Sequence, residues 1–441
     1  MNRIAAAVAA RRIPRIWPIP RTVLAVMDQG LVSATGFATS VAIGRAGNPA
    51  ELGLYAVSLS VILFSRGIQD QLISAPYLVK SQHQSSEDLP LYTGSNIAHQ
   101  LLLVTLITVT ILLVGGGRLL LGGPAPTNRL LLLVGALAPL LLVREYVRQI
   151  SLARFQFKAL LVLDAVACAG QLAVLGILVL TGAMSAMTAL LAMAIANAVA
   201  ALAWYVAGAP AFQIARARLW TDWLSAWSFG KWALSSFVVN SAAPLLMPWV
   251  MLLAISPEAA GVLAACTSLV GLANTFIIGV SNYLSPRAAN AFATGGLRAL
   301  QQVLRESALL FVGTVGVLLA AVAVTGDRIP IFVYGPEYAG TGVILLLLTV
   351  GALFNSLSIT VGNGLWAIER PSANFRADLG SLTVAAVTTA ALVPVWGIAG
   401  AAAASAMAPG VGALIRWHAY RGAARTIPAG PKTPLAAEGP A

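Results

Sequence analysis

Three ionisable residues lie inside otherwise apolar runs, at spacings that bring them to one depth. Asp28 falls six residues into the run 22–43, about 9 Å along a helix rising 1.5 Å per residue. Arg66 follows Glu51 by fifteen residues on the next, returning run, about 22 Å along it. In a hydrocarbon core about 30 Å thick, that leaves Arg66 about 8 Å from the starting level. Asp70, four residues further, shares its helical face. The spacing predicts an Asp28–Arg66–Asp70 cluster. Ionisable groups within a membrane span are costly, so they face a partner or a water-filled cavity. Two readings stand side by side. The forked guanidinium of Arg66 could receive a phosphate while the aspartates hold it in readiness, or the three groups could simply fix the first helix against the second. A third reading has Arg66 snorkelling to the headgroups.

The elements that must position these residues follow from composition. Of 441 residues, 59% are hydrophobic and only 10% are charged, where soluble domains carry about 25% charged residues. Such a chain is an all-α polytopic membrane protein. Twelve segments have the roughly 20 apolar residues a spanning helix needs: 22–43, 52–76, 91–121, 130–150, 159–181, 186–208, 232–255, 259–284, 307–325, 338–366, 373–393 and 397–416. The third and tenth are long enough to tilt or break. They leave a basic arm at 1–21, a linker at 209–231 and a tail at 417–441 expected to be disordered.

The net charge is +12, and the basic residues alternate with the apolar runs. Twenty-two Lys and Arg fall on one side and four on the other, with Arg66 alone in a span. This bias places both termini in the cytoplasm. It explains the charge without nucleic acid, which is not an expected partner. Asp164 and Asp378 fall near inner helix ends and are expected to be solvated. Trp220, Trp223, Trp227 and Trp232 are expected to form an interfacial belt.

The chain also repeats. Asn48-Pro49-Ala50-Glu51-Leu52-Gly53 opens the second helix, and at an offset of 208 residues Ser256-Pro257-Glu258-Ala259-Ala260-Gly261 opens the eighth. The even helix count makes the halves parallel repeats about an axis normal to the membrane. The expected architecture is two six-helix lobes, 22–208 and 232–416, around a central cleft. Asn274 occupies the place equivalent to Arg66, where it would line the cleft or bond a neighbouring helix. Lys231, at the inner end of helix seven, would be a second phosphate contact or a topology anchor.

Gly44-Arg45 followed by Asn48-Pro49-x-Glu51-Leu52-Gly53-Leu54-Tyr55 resembles the signature of polysaccharide-exporting flippases. These belong to the multidrug/oligosaccharidyl-lipid/polysaccharide exporter superfamily. Tyr334-Gly335-Pro336-Glu337-Tyr338-Ala339 resembles the family's outer-loop motif, and the sequence departs from the pattern at Ala46 and Gly47. The resemblance implies a bacterial plasma-membrane flippase for a lipid-linked saccharide, surrounded by membrane lipids and working beside other polysaccharide-synthesis proteins. A multidrug antiporter of the same fold and a non-transporting scaffold are the alternatives. Antiporters of this kind usually place a coupling carboxylate deep in the first lobe, whereas Ser33 to Ile43 holds no acid.

No catalytic set accompanies these features. There is no P-loop and no large polar loop carrying paired carboxylates, so an enzyme is not expected. His83, His99 and His418 lie far apart, and Cys168 and Cys266 sit singly in apolar runs. Neither a metal, a cofactor nor a disulfide is predicted.

Overall fold

The computed structural model describes residues 21–208 and 211–426. The predicted arm before Arg21 and the tail beyond Thr426 lie outside the described residues. Among those described, regular structure is entirely helical. The first half contains α1 (Arg21–Ala46), α2 (Pro49–His83), α3 (Asp88–Leu120), α4 (Ala125–Ala153), α5 (Phe157–Leu180) and α6 (Ala186–Gly208). The second opens with α7 (Arg216–Ala254). Two long helical runs follow, each divided by a glycine in the left-handed region: Pro257–Thr325 at Gly296 (φ 66°) and Pro371–Ala424 at Gly397 (φ 56°). Only glycine takes that conformation without strain. The divisions give α8 (257–295) and α9 (297–325), then α11 (371–396) and α12 (398–424), with α10 (Gly342–Ala367) between them. Twelve long helices result.

Helix ends depart from the predicted segments in three places. α7 begins at Arg216, so much of the predicted linker is helix. Leu219, Trp223, Ala226 and Gly230 recur at helical spacing there; Trp223 meets His99 at 5.4 Å, and Ala226 and Gly230 are buried. α9 begins directly after Gly296, ten residues before its predicted start. The predicted tenth segment starts four residues later, at Gly342, after a short helix (Arg328–Tyr334) and a 3-10 turn (Pro336–Tyr338), and is one unbroken helix.

The halves cross where the sequence repeats. Asn48 and Ser256 cap α2 and α8 in the same way, each side chain accepting from the backbone N–H three residues on. A Cβ on Gly53 would lie 1.9 Å from the Pro257 carbonyl oxygen, and one on Gly261 would lie 1.7 Å from that of Pro49. The contact is therefore reciprocal, as at a two-fold axis. In lipid, helices associate through close backbone approach rather than hydrophobic burial, and glycine permits that approach. Gly44 is covered by Tyr334 and Tyr338, and the Arg45 guanidinium donates to the Phe332 carbonyl at 3.1 Å. Ser40 joins Ser268 at 2.8 Å and Tyr334 at 3.0 Å. Both stretches singled out in the sequence thus pack into one seal, at the end of the molecule opposite the start of α1.

At the other end α7 closes against the first half. Phe237 lies on Gly67, whose Cβ would fall 1.8 Å from the ring. Phe64 faces Phe237 at 6.1 Å, and Arg218 pairs with Asp88 at 2.7 Å.

Candidate functional site

Between the halves lies a cavity of about 640 Å³. α1, α2, α4, α5 and α6 form one wall. α7 and α8 form the other, with single contributions from α10 and α12. Pro244, Met247 and Pro248 give the α7 face an apolar character. The lining residues that carry charge are Arg66, Arg144 and Glu145, all from the first half.

Arg66 stands at the rim of this cavity and of a smaller pocket of about 290 Å³ between α2 and α7, which Asp70 also borders. Its Nη2 is 2.9 Å from Glu145 Oε1 and its Nε is 3.6 Å from Asp70 Oδ2. The side chain remains 36% exposed. Asp28 does not reach it. Asp28 is buried and pairs instead with Arg148 Nη2 at 2.6 Å. The three predicted residues do belong to one network, joined through α4.

Arg144, Glu145 and Arg148 form the centre of that network. Arg144 and Arg148, four residues apart, share a helical face and grip the fully buried carboxylate of Asp164 on α5. Arg148 Nε meets Asp164 Oδ2 at 2.9 Å, and Arg144 Nη2 bonds the other oxygen. Glu145 bridges to Arg144 at 3.4 Å and to Arg148 at 3.6 Å, and accepts from Gln149 at 3.1 Å. Within this network, Arg144 Nε, Asp28 Oδ1 and Asp70 Oδ1 are buried without a hydrogen-bond partner.

Sequence reasoning missed this centre because it counted Arg144 and Arg148 among the inner-side charges, although both fall within the predicted segment 130–150. α4 carries both into the packed interior. Asp164, expected to be solvated, is buried against them. Its position seven residues into α5, opposite an Arg-x-x-x-Arg pair, was the available signal.

Lys231 lies away from the cavity, exposed, with its Nζ 5.6 Å from the Trp232 ring. Asn274 is half-buried on α8 and does not border the cavity, although Thr275 beside it joins Ser33 at 2.9 Å. Asp378 is paired and only partly exposed. In the second half Arg416 pairs with Asp378 and reaches Asn374 Oδ1 at 3.1 Å, and Asn240 of α7 reaches Asp378 at 3.4 Å.

Two six-helix halves around a cavity, charged at one end and crossed at repeated glycines, define a two-lobed, twelve-helix membrane protein. Solved structures share that fold. The chain is similar to the lipid II flippase MurJ in an inward closed conformation (TM-score 0.74, 14% identity, 92% of this chain and 88% of that one). It is also similar to an inward-facing multidrug resistance MATE family transporter of the MOP superfamily (TM-score 0.65, 13% identity, 94% and 96%). A MOP superfamily transporter from Pyrococcus furiosus is a third (TM-score 0.60, 12% identity, 92% and 95%). At these identities the likeness is one of fold. No protein-family model and no curated protein matches the chain.

Proposed function

We propose that this protein is a flippase carrying a lipid-linked saccharide precursor from the inner to the outer leaflet of a bacterial plasma membrane by alternating access. On this reading residues 22–208 and 232–416 are the two lobes, 209–231 joins them, and both termini are cytoplasmic. The observation that carries it is Arg66: a guanidinium at the cavity rim, one-third exposed, with Arg144 lining the same end. Unpaired sugar hydroxyls in hydrocarbon would each cost several kcal/mol, so unassisted crossing is very slow. A cleft with polar walls replaces water for the headgroup while the tail stays in the bilayer. Arg66 is the docking group for the phosphate, Asp70 and Glu145 hold it between cycles, and Asp28 acts through Arg148. Asn274 and Lys231 stay outside this scheme, since neither borders the cavity.

A cation-coupled multidrug or small-molecule antiporter is the second reading, favoured by the surplus carboxylate of the network. Against it, Glu145 is the one acid bordering the main cavity, and three arginines surround it.

The test is deletion in the native host with mass spectrometry of lipid-linked saccharides and surface glycan. Accumulated precursor with missing glycan supports the flippase. Unchanged glycan with heightened sensitivity to cationic drugs supports the antiporter. Complementation with Arg66→Gln should lower glycan export roughly ten- to a hundredfold, as loss of one charged hydrogen-bond donor to the cargo predicts. A non-transporting scaffold would tolerate the substitution.

A further inference from the structure

The cavity is charged at one end and neutral along the rest of its length. On α1 the lining residues beyond Asp28 are neutral, with Ser33 and Ser40 about 8 Å and 18 Å further along the helix. On α2, Ser60 lies about 9 Å from Arg66. On α5, Gln171 lies about 10 Å beyond Asp164. Every lining residue from the second half is uncharged.

Part of the donor capacity of these neutral groups is already committed. Gln171 Nε2 donates to Thr39 Oγ1 at 2.9 Å, and Asn197 Nδ2 to the Met193 carbonyl at 2.6 Å. Ser405 Oγ donates to the Ala401 carbonyl at 2.9 Å. Ser60 donates to the Val57 carbonyl at 2.7 Å and accepts from Trp249 Nε1 at 2.9 Å. What the wall offers to a cargo is neutral groups of both kinds: the oxygen and second N–H of the Gln171 and Asn197 amides, and the Tyr55 and Thr267 hydroxyls. Such a wall suits an uncharged polyhydroxyl ligand, whose groups both donate and accept. A carboxylate placed there would lie against a wall that carries no cation, and an uncompensated charge away from bulk water is strongly disfavoured.

We infer that the saccharide this protein carries is free of acidic groups, so that all the negative charge of the cargo lies in its phosphate linkage, held at the Arg66 end. The sugar hydroxyls then exchange hydrogen bonds with the neutral wall. The volume, within the range of about 300–1,000 Å³ usual for small-molecule sites, suits a short saccharide. This inference rests on the lipid-linked saccharide reading above, and the experiment separates the two.

The full-length protein in nanodiscs would be titrated with three probes. One is a polyprenyl diphosphate carrying a disaccharide of neutral hexoses. The second has its terminal hexose replaced by a hexuronic acid, and the third keeps the neutral disaccharide on an uncharged linkage. The expected result is binding of the first, with the uronic acid probe weaker by about tenfold or more. Equal or tighter binding of the uronic acid probe overturns the inference and leaves the flippase reading standing. Failure of all three to bind, or equal binding of the first and third, overturns the flippase reading and the inference with it. Gln171→Lys and Asn197→Arg each place a cation on the neutral wall. Whichever keeps the wild-type unfolding midpoint should regain uronic acid binding, and no gain in that variant also overturns the inference.

Discussion

Three guanidinium groups face four carboxylates in the network around α4, and the arginines do different work. Arg148 pairs with both Asp28 and Asp164, the latter shared with Arg144. Replacing it strands a buried carboxylate, a change that costs about 3–5 kcal/mol. Arg66 is partly solvated, and bridges of that exposure contribute about 0–1 kcal/mol. Arg148→Gln should therefore lower the thermal unfolding midpoint in detergent markedly, while Arg66→Gln leaves it within about a degree or two. Equal midpoints for the two variants would show that Arg66, too, is part of the scaffold. Arg416→Gln should resemble Arg148→Gln, because it frees Asp378 in the second half and leaves Asn240 its remaining partner.

Among the elements, the α2–α8 crossing is the least tolerant of added bulk. A methyl group at Gly53 would meet the Pro257 carbonyl, and backbone cannot yield as a flexible side chain can. Gly53→Ala should pry the two helices apart. Cys168 lines the cavity while Cys266 is fully buried, so native Cys168 reports the opening. Its labelling by a membrane-impermeant maleimide from the crossing side should rise several-fold in Gly53→Ala, and an unchanged rate would place the seal elsewhere. This crossing was half legible in the sequence. The offset of 208 residues gave the equivalence of Gly53 and Gly261, yet nothing in the spacing said that the equivalent residues touch each other. Helix number was legible from apolar runs alone, because a bilayer demands a nearly fixed length. The ionic centre was not. Arg144 and Arg148 fall within the predicted segment 130–150, but their spacing alone does not say whether that face turns to solvent or to a buried acid on α5. The spacing set Asp28 and Arg66 at one depth, but depth does not fix rotation about the helix axis, and rotation decided that Asp28 turns to α4.

For the molecule as a whole, the asymmetry of charge between the lobes carries the energetic argument. On the proposed flippase reading, a headgroup bearing about two negative charges moves outward with the field in a cell that is negative inside. That favours the step by about 4–5 kcal/mol per 100 mV. Flipping of a diphosphate-linked probe in proteoliposomes should accelerate when an inside-negative potential is imposed and slow when it is reversed. Indifference to potential would mean that the cargo's charge is neutralised before it crosses. The expected disposition of the termini can be tested separately: reporter fusions at either end should be active in the cytoplasm alone.

The reciprocal crossing also bears on how the chain is made. Translation delivers the first half before the second exists, so the surface around Gly53 enters the bilayer unmatched. The segment it is shaped to meet opens with a proline, a helix cap and a glycine at the same intervals as its own. Until α8 arrives, a neighbouring nascent copy offers a nearly equivalent Pro49–Gly53 stretch, and homotypic pairing of first halves competes with correct assembly. Slow insertion of α7 and α8, or crowded synthesis on one messenger, would lengthen that window, so the yield of folded protein depends on the tempo of the ribosome as well as on the finished contacts.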